Sequence, residues 1–292
     1  MKNNDSKSYL TVLIVVAIGA LIALAGSHVS TSVWGFPLYG LAVIMAFAVQ
    51  WVVFIPSYLK RTEKYFDLTG SLTYISVTLF AVLMNPVKDF RTYTLSVLVI
   101  IWALRLGLFL FRRIQAAGED RRFRELKNSF PKFLVTWTLQ GLWVTLSLAA
   151  ALAVITSTNT VGFDIFALIG IVIWIIGFSI EVIADHQKKM FKANVANNGK
   201  FINNGLWSWS RHPNYFGEIV LWVGIAIIAL PVLSGWQWAT LISPIFVTIL
   251  LTKISGVPML EKRADEKWGG QADYEAYKKN TSVLIPMPSK GI

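Results

Sequence analysis

Residues 163–184 read FDIFALIGIVIWIIGFSIEVIA, a run whose two carboxylates, Asp164 and Glu181, lie towards its ends. A helix packed on a soluble core keeps one polar face, whereas this run is apolar on every side. About 20 mainly apolar residues carry a helix across a bilayer. Inside lipid only helices and closed barrels satisfy the backbone, and the run has no period-two alternation, so it is a helix. Seven other segments read the same way: roughly 9–26, 33–56, 70–86, 93–111, 134–157, 215–233 and 236–254. The expected fold is therefore all-α, a polytopic membrane bundle of about eight helices. It is read as one integral membrane domain over residues 1–292, with 9–26 as a retained helix rather than a cleaved leader.

The composition agrees. The chain is 55% hydrophobic but only 15% charged, against about one quarter charged for a soluble domain; its mean hydropathy is +0.56. There are no cysteines, which excludes a disulfide framework, a thiol nucleophile and Cys-ligated metal or iron–sulfur centres. His28, His186 and His212 are too scattered to build a metal site, so no metal is expected.

A net charge of +11 could suggest nucleic acid, but its placement gives another cause, because basic residues flank the apolar runs. With the N-terminus cytoplasmic, the inner segments 1–8, 57–69, 112–133, 185–214 and 253–292 hold two, three, seven, five and seven Lys or Arg. That is 24 of the 27 in the chain; Lys88 and Arg91 fall outside and Arg105 within a helix. The positive-inside rule then places both termini in the cytoplasm, expected to border a bacterial inner membrane, with lipid rather than nucleic acid as partner.

Ionisable residues at membrane depth mark function, so Arg105, the pair Glu181 and Asp185 on one helix face, and Glu218 draw notice. After Asp185 the chain reads DHQKKMFK, and residues 197–218 read NNGKFINNGLWSWSRHPNYFGE. Pro213 suits the first turn of a helix, which would present free N–H groups beside Arg211 and His212, a natural phosphate site. Asn214 and Glu218 follow one turn apart on one face, able to grip a ribose, an amide or an adenine edge. Headgroup binding would account for the lysines but not for the Asn, Gly, Trp, Pro and Glu around them. Asp67 or Ser71 can cap the third helix, with Tyr74 a turn further on. The polar tail, helical near Leu260–Lys279 and carrying Tyr274 and Tyr277 before Ile285-Pro286, reads as a lid folding back.

Arg211-His-Pro-Asn-Tyr-Phe-Gly-Glu218, preceded by Gly199-Lys-Phe-Ile-Asn-Asn-Gly-Leu-Trp and Ala184-Asp-His-Gln-Lys, resembles the steroid 5α-reductase-like membrane family, and most of all its bacterial members of unknown substrate. Tyr65–Ser71, Trp102–Arg113, Glu119–Arg122 and Tyr277…Ile285-Pro286 extend the likeness over a reductase-like core from about residue 60 to 292. The Arg-His-Pro-Asn-Tyr…Glu element is shared with membrane methyltransferases of the isoprenylcysteine carboxyl type. The resemblance implies NADPH held on the cytoplasmic side and hydride transfer to an activated C=C bond of a small hydrophobic, lipid-like enone. It assigns Asp185, Lys189, Lys192, Arg211, His212, Asn214, Tyr215 and Glu218 to the cofactor, with Arg113, Arg121 and Tyr277 beside them. Steroid reductases hold the substrate carbonyl with a Glu and a Tyr; here Asp67 replaces the Glu and Trp102 falls near the Tyr position. Tyr74 or Arg105 is then the expected substitute donor, and Asp67, Tyr74 and Arg105 form the expected catalytic set. The alternative reading is an S-adenosylmethionine-dependent methyltransferase of a lipid or prenylated substrate. A transporter is disfavoured, because no Gly/Pro-broken helices recur at matching positions in two halves.

Overall fold

The apolar runs become helices in the computed structural model, which describes residues 2–288. Seven of them, Asp5–Gly26, Leu38–Leu59, Phe66–Met84, Phe90–Arg112, Phe130–Ile155, Ile165–Ala193 and Gly235–Trp268, are long and apolar enough to cross a membrane. An eighth apolar helix, Pro213–Ala229, is shorter. The chain is thus a polytopic helical membrane protein. Its packing divides it into two compact units, Met1–Ala167 with Ile228–Ser243 and Leu168–Ile227 with Pro244–Ile292.

The first unit contains α1 (Lys2–Gly26), α2 (Leu38–Leu59), α3 (Phe66–Met84), α4 (Phe90–Ala117) and α5 (Phe130–Ile155). The second helix begins later than the expected 33, because Ser32–Val33 pairs with Phe36–Pro37 in a minimal antiparallel hairpin. Its turn, Trp34-Gly35, has positive φ at both residues, and α2 starts only after Pro37. Helices α1 to α4 all pack on α5. There Ala149, Ala150, Ala151 and Ala153 are fully buried, small side chains that let neighbouring backbones approach. Polar bonds join the helices: Gln50 Nε2 donates to Thr73 Oγ1 at 2.8 Å, Trp51 Nε1 to Thr138 Oγ1 at 3.1 Å, and Gln140 Nε2 to the Phe66 carbonyl at 3.1 Å.

One arginine anchors this unit. Asp89 caps α4 in a reciprocal box with Thr92, and Arg91, fully buried, follows in the first turn. Its guanidinium donates to the carbonyls of Ile228 (3.0 Å), Val161 and Gly162 and to the Asp164 carboxylate. Asp164 is held below the usual carboxylate range first by the Ala167 backbone N–H, and further by Arg91.

The second unit contains most of α6 (Ile165–Ala193) and α7 (Pro213–Ala229), then α8 (Ile242–Ile249), α9 (Val257–Trp268) and α10 (Ala272–Asn280). Helix α7 ends earlier than the expected 233, because Pro231 disfavours helical geometry in the residue before it. The expected helix 236–254 is composite: a 3₁₀ segment Gly235–Leu241, then α8, then a π-helical turn Leu250–Ile254. The expected tail helix is two, α9 and α10, broken where Gly270 takes φ +83°. Helices α6 and α7 touch through glycine: a Cβ on Gly217 would lie 2.6 Å from both the Glu181 nitrogen and the Gly177 carbonyl oxygen. No side chain fits there, so the helices close to backbone contact.

Candidate functional site

Backbone contact between α6 and α7 sets the end of α6 against the start of α7. Glu181 and Asp185 are both buried, and Asn214 Nδ2 donates to Asp185 Oδ1 at 3.2 Å. The connecting loop is pinned to α6 at three places. The Leu206 N–H donates to Gln187 Oε1 at 3.0 Å, the Trp207 indole N–H to the Ala184 carbonyl at 3.0 Å, and Lys188 Nζ lies 4.3 Å above the Trp207 ring.

Helix α7 opens on a charged cluster centred on Glu261 of α9. His212 Nε2 is 2.7 Å from Glu261 Oε1, and an Arg211 Nη is 3.2 Å from Glu261 Oε2. Arg211 also donates to the Lys278 carbonyl at 3.2 Å, and the His212 backbone N–H to Ser210 Oγ at 3.1 Å. His212 is 4% exposed. Burial pushes its imidazole below the ordinary histidine range, and the Glu261 hydrogen bond only partly offsets that. The ring is therefore neutral near pH 7, its proton sits on Nε2 facing Glu261, and Nδ1 carries a lone pair. Among the described residues that Nδ1 has no hydrogen-bond partner, nor do Arg211 Nε and Asn214 Oδ1, all three being buried atoms. Twelve such buried atoms occur among the described residues, and only here do three fall within four consecutive residues.

The tail packs onto this cluster. Phe201 packs against Trp268, Tyr274 and Tyr277 with ring centroids 5.9, 5.3 and 5.3 Å away. Tyr277 donates to the Trp207 carbonyl at 2.7 Å, and burial raises its phenol above the normal range, so it remains a donor. Beyond α10 the chain forms a strap: Arg211 N–H donates to the Ser282 carbonyl (2.9 Å) and Met287 N–H to the Trp209 carbonyl (3.0 Å).

Of the expected cofactor residues, Asp185, Arg211, His212, Asn214 and Tyr277 come together here, and Tyr215 stacks on the His212 ring at 5.7 Å. Glu218 is half-buried one turn after Asn214, whereas Lys189 and Lys192 are exposed on the last turns of α6. Arg113 lies on α4 and Arg121 in a 3₁₀ turn; their side chains fall outside the described residues. In the first unit Asp67 is half-buried in the first turn of α3. Neither it nor Ser71 takes the capping position, because α3 starts at Phe66 with Tyr65 before it. Tyr74 meets the buried Trp102 edge to face, centroids 5.0 Å apart, and Arg105 lies over Phe109 at 5.7 Å. Sequence reading missed Glu261 as the hub, since it stands among Lys and Arg 49 residues from His212 with no local pattern to mark it.

The chain is thus a polytopic membrane protein with a buried polar cluster at the junction of two apolar helices. Residues 53–281 match the family described as "Protein of unknown function (DUF1295)", and the chain belongs to that family. It is 25% identical over 171 residues to 3-oxo-5-alpha-steroid 4-dehydrogenase 1 of Rattus norvegicus, covering 55% of this chain and 58% of the relative. The Bos taurus protein of the same name is 27% identical over 119 residues, 41% of each chain. A probable O-methyltransferase of Ustilaginoidea virens is 33% identical over 70 residues, 24% of this chain and 25% of that one. The matches thus span under two thirds of these relatives' length. No solved structure matches the chain.

Proposed function

We propose that the chain is an NADPH-dependent membrane reductase acting on an activated C=C bond of a lipid-like substrate, with its nucleotide site at the start of α7. The observation that carries the reading is the set of unsatisfied buried atoms there. His212 Nδ1 and Asn214 Oδ1 are acceptors beside one donor, Arg211 Nε–H. Two lone pairs repel an anion, so this pocket suits a neutral donor such as a ribose hydroxyl or an amide or amino N–H₂. The phosphates then belong to the exposed Lys189 and Lys192 rather than to the helix start itself. Residues and cofactor fit.

When bound, NADPH supplies a hydride to the β-carbon of the conjugated system. The protein's part is to hold and to polarise. Glu261 fixes Arg211 and His212, so their remaining polar atoms are preorganised before the nucleotide arrives. We assign Tyr74 of α3 or Arg105 of α4 as the donor to a developing enolate oxygen, since Trp102 Nε1–H cannot return a proton, with Asp67 completing the proposed catalytic set. Both termini are placed in the cytoplasm, where soluble nucleotide is available, as the distribution of basic residues supports. The likeness to the Rattus norvegicus and Bos taurus proteins named 3-oxo-5-alpha-steroid 4-dehydrogenase 1 supports the chemistry.

The test is thermal unfolding of the purified chain with NADPH and, separately, with S-adenosylmethionine. A ligand that binds only the native state raises its melting temperature. NADPH is expected to stabilise; stabilisation by S-adenosylmethionine alone overturns the reading in favour of a methyltransferase.

A further inference from the structure

We infer that the first unit carries a site for the headgroup of one anionic phospholipid, in the groove between the starts of α1 and α5. The groove, about 290 Å³, is lined by Lys7 and Thr11 of α1 and by Lys132 and Thr136 of α5, with Leu126 and Val135 adding apolar surface. Ligand pockets run from about 300 to 1,000 Å³, so this one suits a headgroup rather than a dinucleotide. The two helices contribute the same unit, a lysine followed one turn later by a threonine. Each threonine hydroxyl donates to its own lysine's carbonyl, at 2.9 Å on α1 and 3.0 Å on α5. With those protons committed, the two ammonium groups carry the recognition.

Both lysines are exposed, and among the described residues no carboxylate lines the groove and neither lysine is ion-paired. Lys127, close by in the chain, is the contrast: its Nζ lies 2.7 Å from the buried Glu63 carboxylate, so its charge is spent within the fold. The positive-inside rule scatters lysines around helix ends, but it does not bring two unpaired ones onto one groove. Depth points to lipid rather than to a soluble anion. Lys7 and Lys132 each lie two residues inside an apolar span, Asp5–Gly26 and Phe130–Ile155, so both ammonium groups stand at the same edge of the bilayer. From Thr11 the face of α1 continues through Ile14, Ile18 and Leu21, spaced by three, four and three residues and all exposed. Thr11 to Leu21 rises about 15 Å, half of the hydrocarbon core of about 30 Å, which is the depth of one leaflet. An acyl chain lying on that stripe places its own phosphate at the two lysines.

Because the chain has no cysteine, Ser8→Cys gives one bimane label at the groove. Leu59→Cys gives another at the end of α2, beside the exposed Lys60 and Arg61. That end is level with the start of α5, since the Tyr58 and Phe130 rings meet at 5.1 Å. Each full-length variant is placed in lipid nanodiscs containing phosphatidylglycerol or phosphatidylcholine with a nitroxide high on one acyl chain, at equal fraction. The preference for quenching by phosphatidylglycerol is expected to be larger at 8 than at 59. It should fall about fivefold with Lys7→Gln or with Lys132→Gln, and reach the level at 59 when both are changed. Both lysines are exposed, so these variants should melt as the parent does; should one not fold, the comparison of positions 8 and 59 decides alone. Equal preference at the two labels overturns the site, because the groove is then no more than general basic surface. A preference that survives Lys7→Gln with Lys132→Gln overturns the role of the lysines. Loss of the preference in millimolar inorganic phosphate at fixed ionic strength overturns the lipid in favour of a soluble anion. No nucleotide enters the experiment, so its outcome is independent of the proposed reductase activity.

Discussion

Arg91 and Arg211 begin the same way, each at the start of an apolar helix, and end as opposites. Arg91 is sealed from solvent and spends its donors on three carbonyls and one carboxylate. Arg211 shares Glu261 with a histidine and keeps a buried Nε without a partner. A guanidinium with every acceptor supplied locks a fold, because nothing further can be offered to it. One left incomplete beside two unsatisfied acceptors can still take a partner. Satisfaction, rather than charge or burial, separates the two arginines, and it is the ground for proposing a ligand beside the second.

The sharpest way to break this contrast is Arg91→Ala. It strands three carbonyls at the edge of a buried guanidinium, and each acceptor left unsatisfied in a buried place costs about 1–3 kcal/mol. A large fall in melting temperature is expected, with unchanged NADPH affinity in the molecules that remain folded; lost affinity at unchanged stability would reverse the two roles. Gly217→Ala comes next. Its methyl meets backbone rather than a movable side chain, and overpacking of this kind costs about 1–3 kcal/mol. Titrated fluorescence should also show weaker NADPH binding, since α6 and α7 must part where Asp185 meets Asn214.

Asn214→Ala removes one unsatisfied acceptor and one bond to Asp185. NADPH binding is expected to weaken about tenfold, by about 1.4 kcal/mol, for a lost hydrogen bond, while the melting temperature without nucleotide moves little. Unchanged affinity in both this variant and Glu218→Ala would remove the nucleotide from the start of α7. The smallest effect is in pH. His212 has a folded value below its unfolded one, so the unfolded chain binds the extra proton first. Its contribution to stability is complete above about pH 6.5, the ordinary histidine value, and falls as pH drops from there towards the folded value. His212→Asn should flatten that part of the stability profile; an unaltered slope would assign it to other groups.

Much of the fold could be read from the chain because lipid imposes a coarse rule. Length and apolarity alone located every long helix, and Pro213 marked the neighbourhood in which α7 begins. The errors lie where local backbone chemistry outweighs hydropathy. Hydropathy does not register a two-residue hairpin at Ser32–Pro37, and the Gly269-Gly270 break disappears within a polar helical pattern. Within the site, Asp185, Arg211, His212 and Asn214 could be picked out because they cluster in sequence beside membrane segments. Glu261 could not, since its role exists only once α9 has folded onto α7.

The strap has a consequence in time. Arg211 binds Ser282 through the backbone, so the start of α7 cannot be completed until 71 more residues exist. At ribosomal speeds of about 5–20 residues per second, that delay is several seconds during which α6 and α7 can already occupy the bilayer. Completion waits for the last stretch of synthesis, so a message cut short after Asn280 should yield an inserted protein in which the start of α7 never gains its strap.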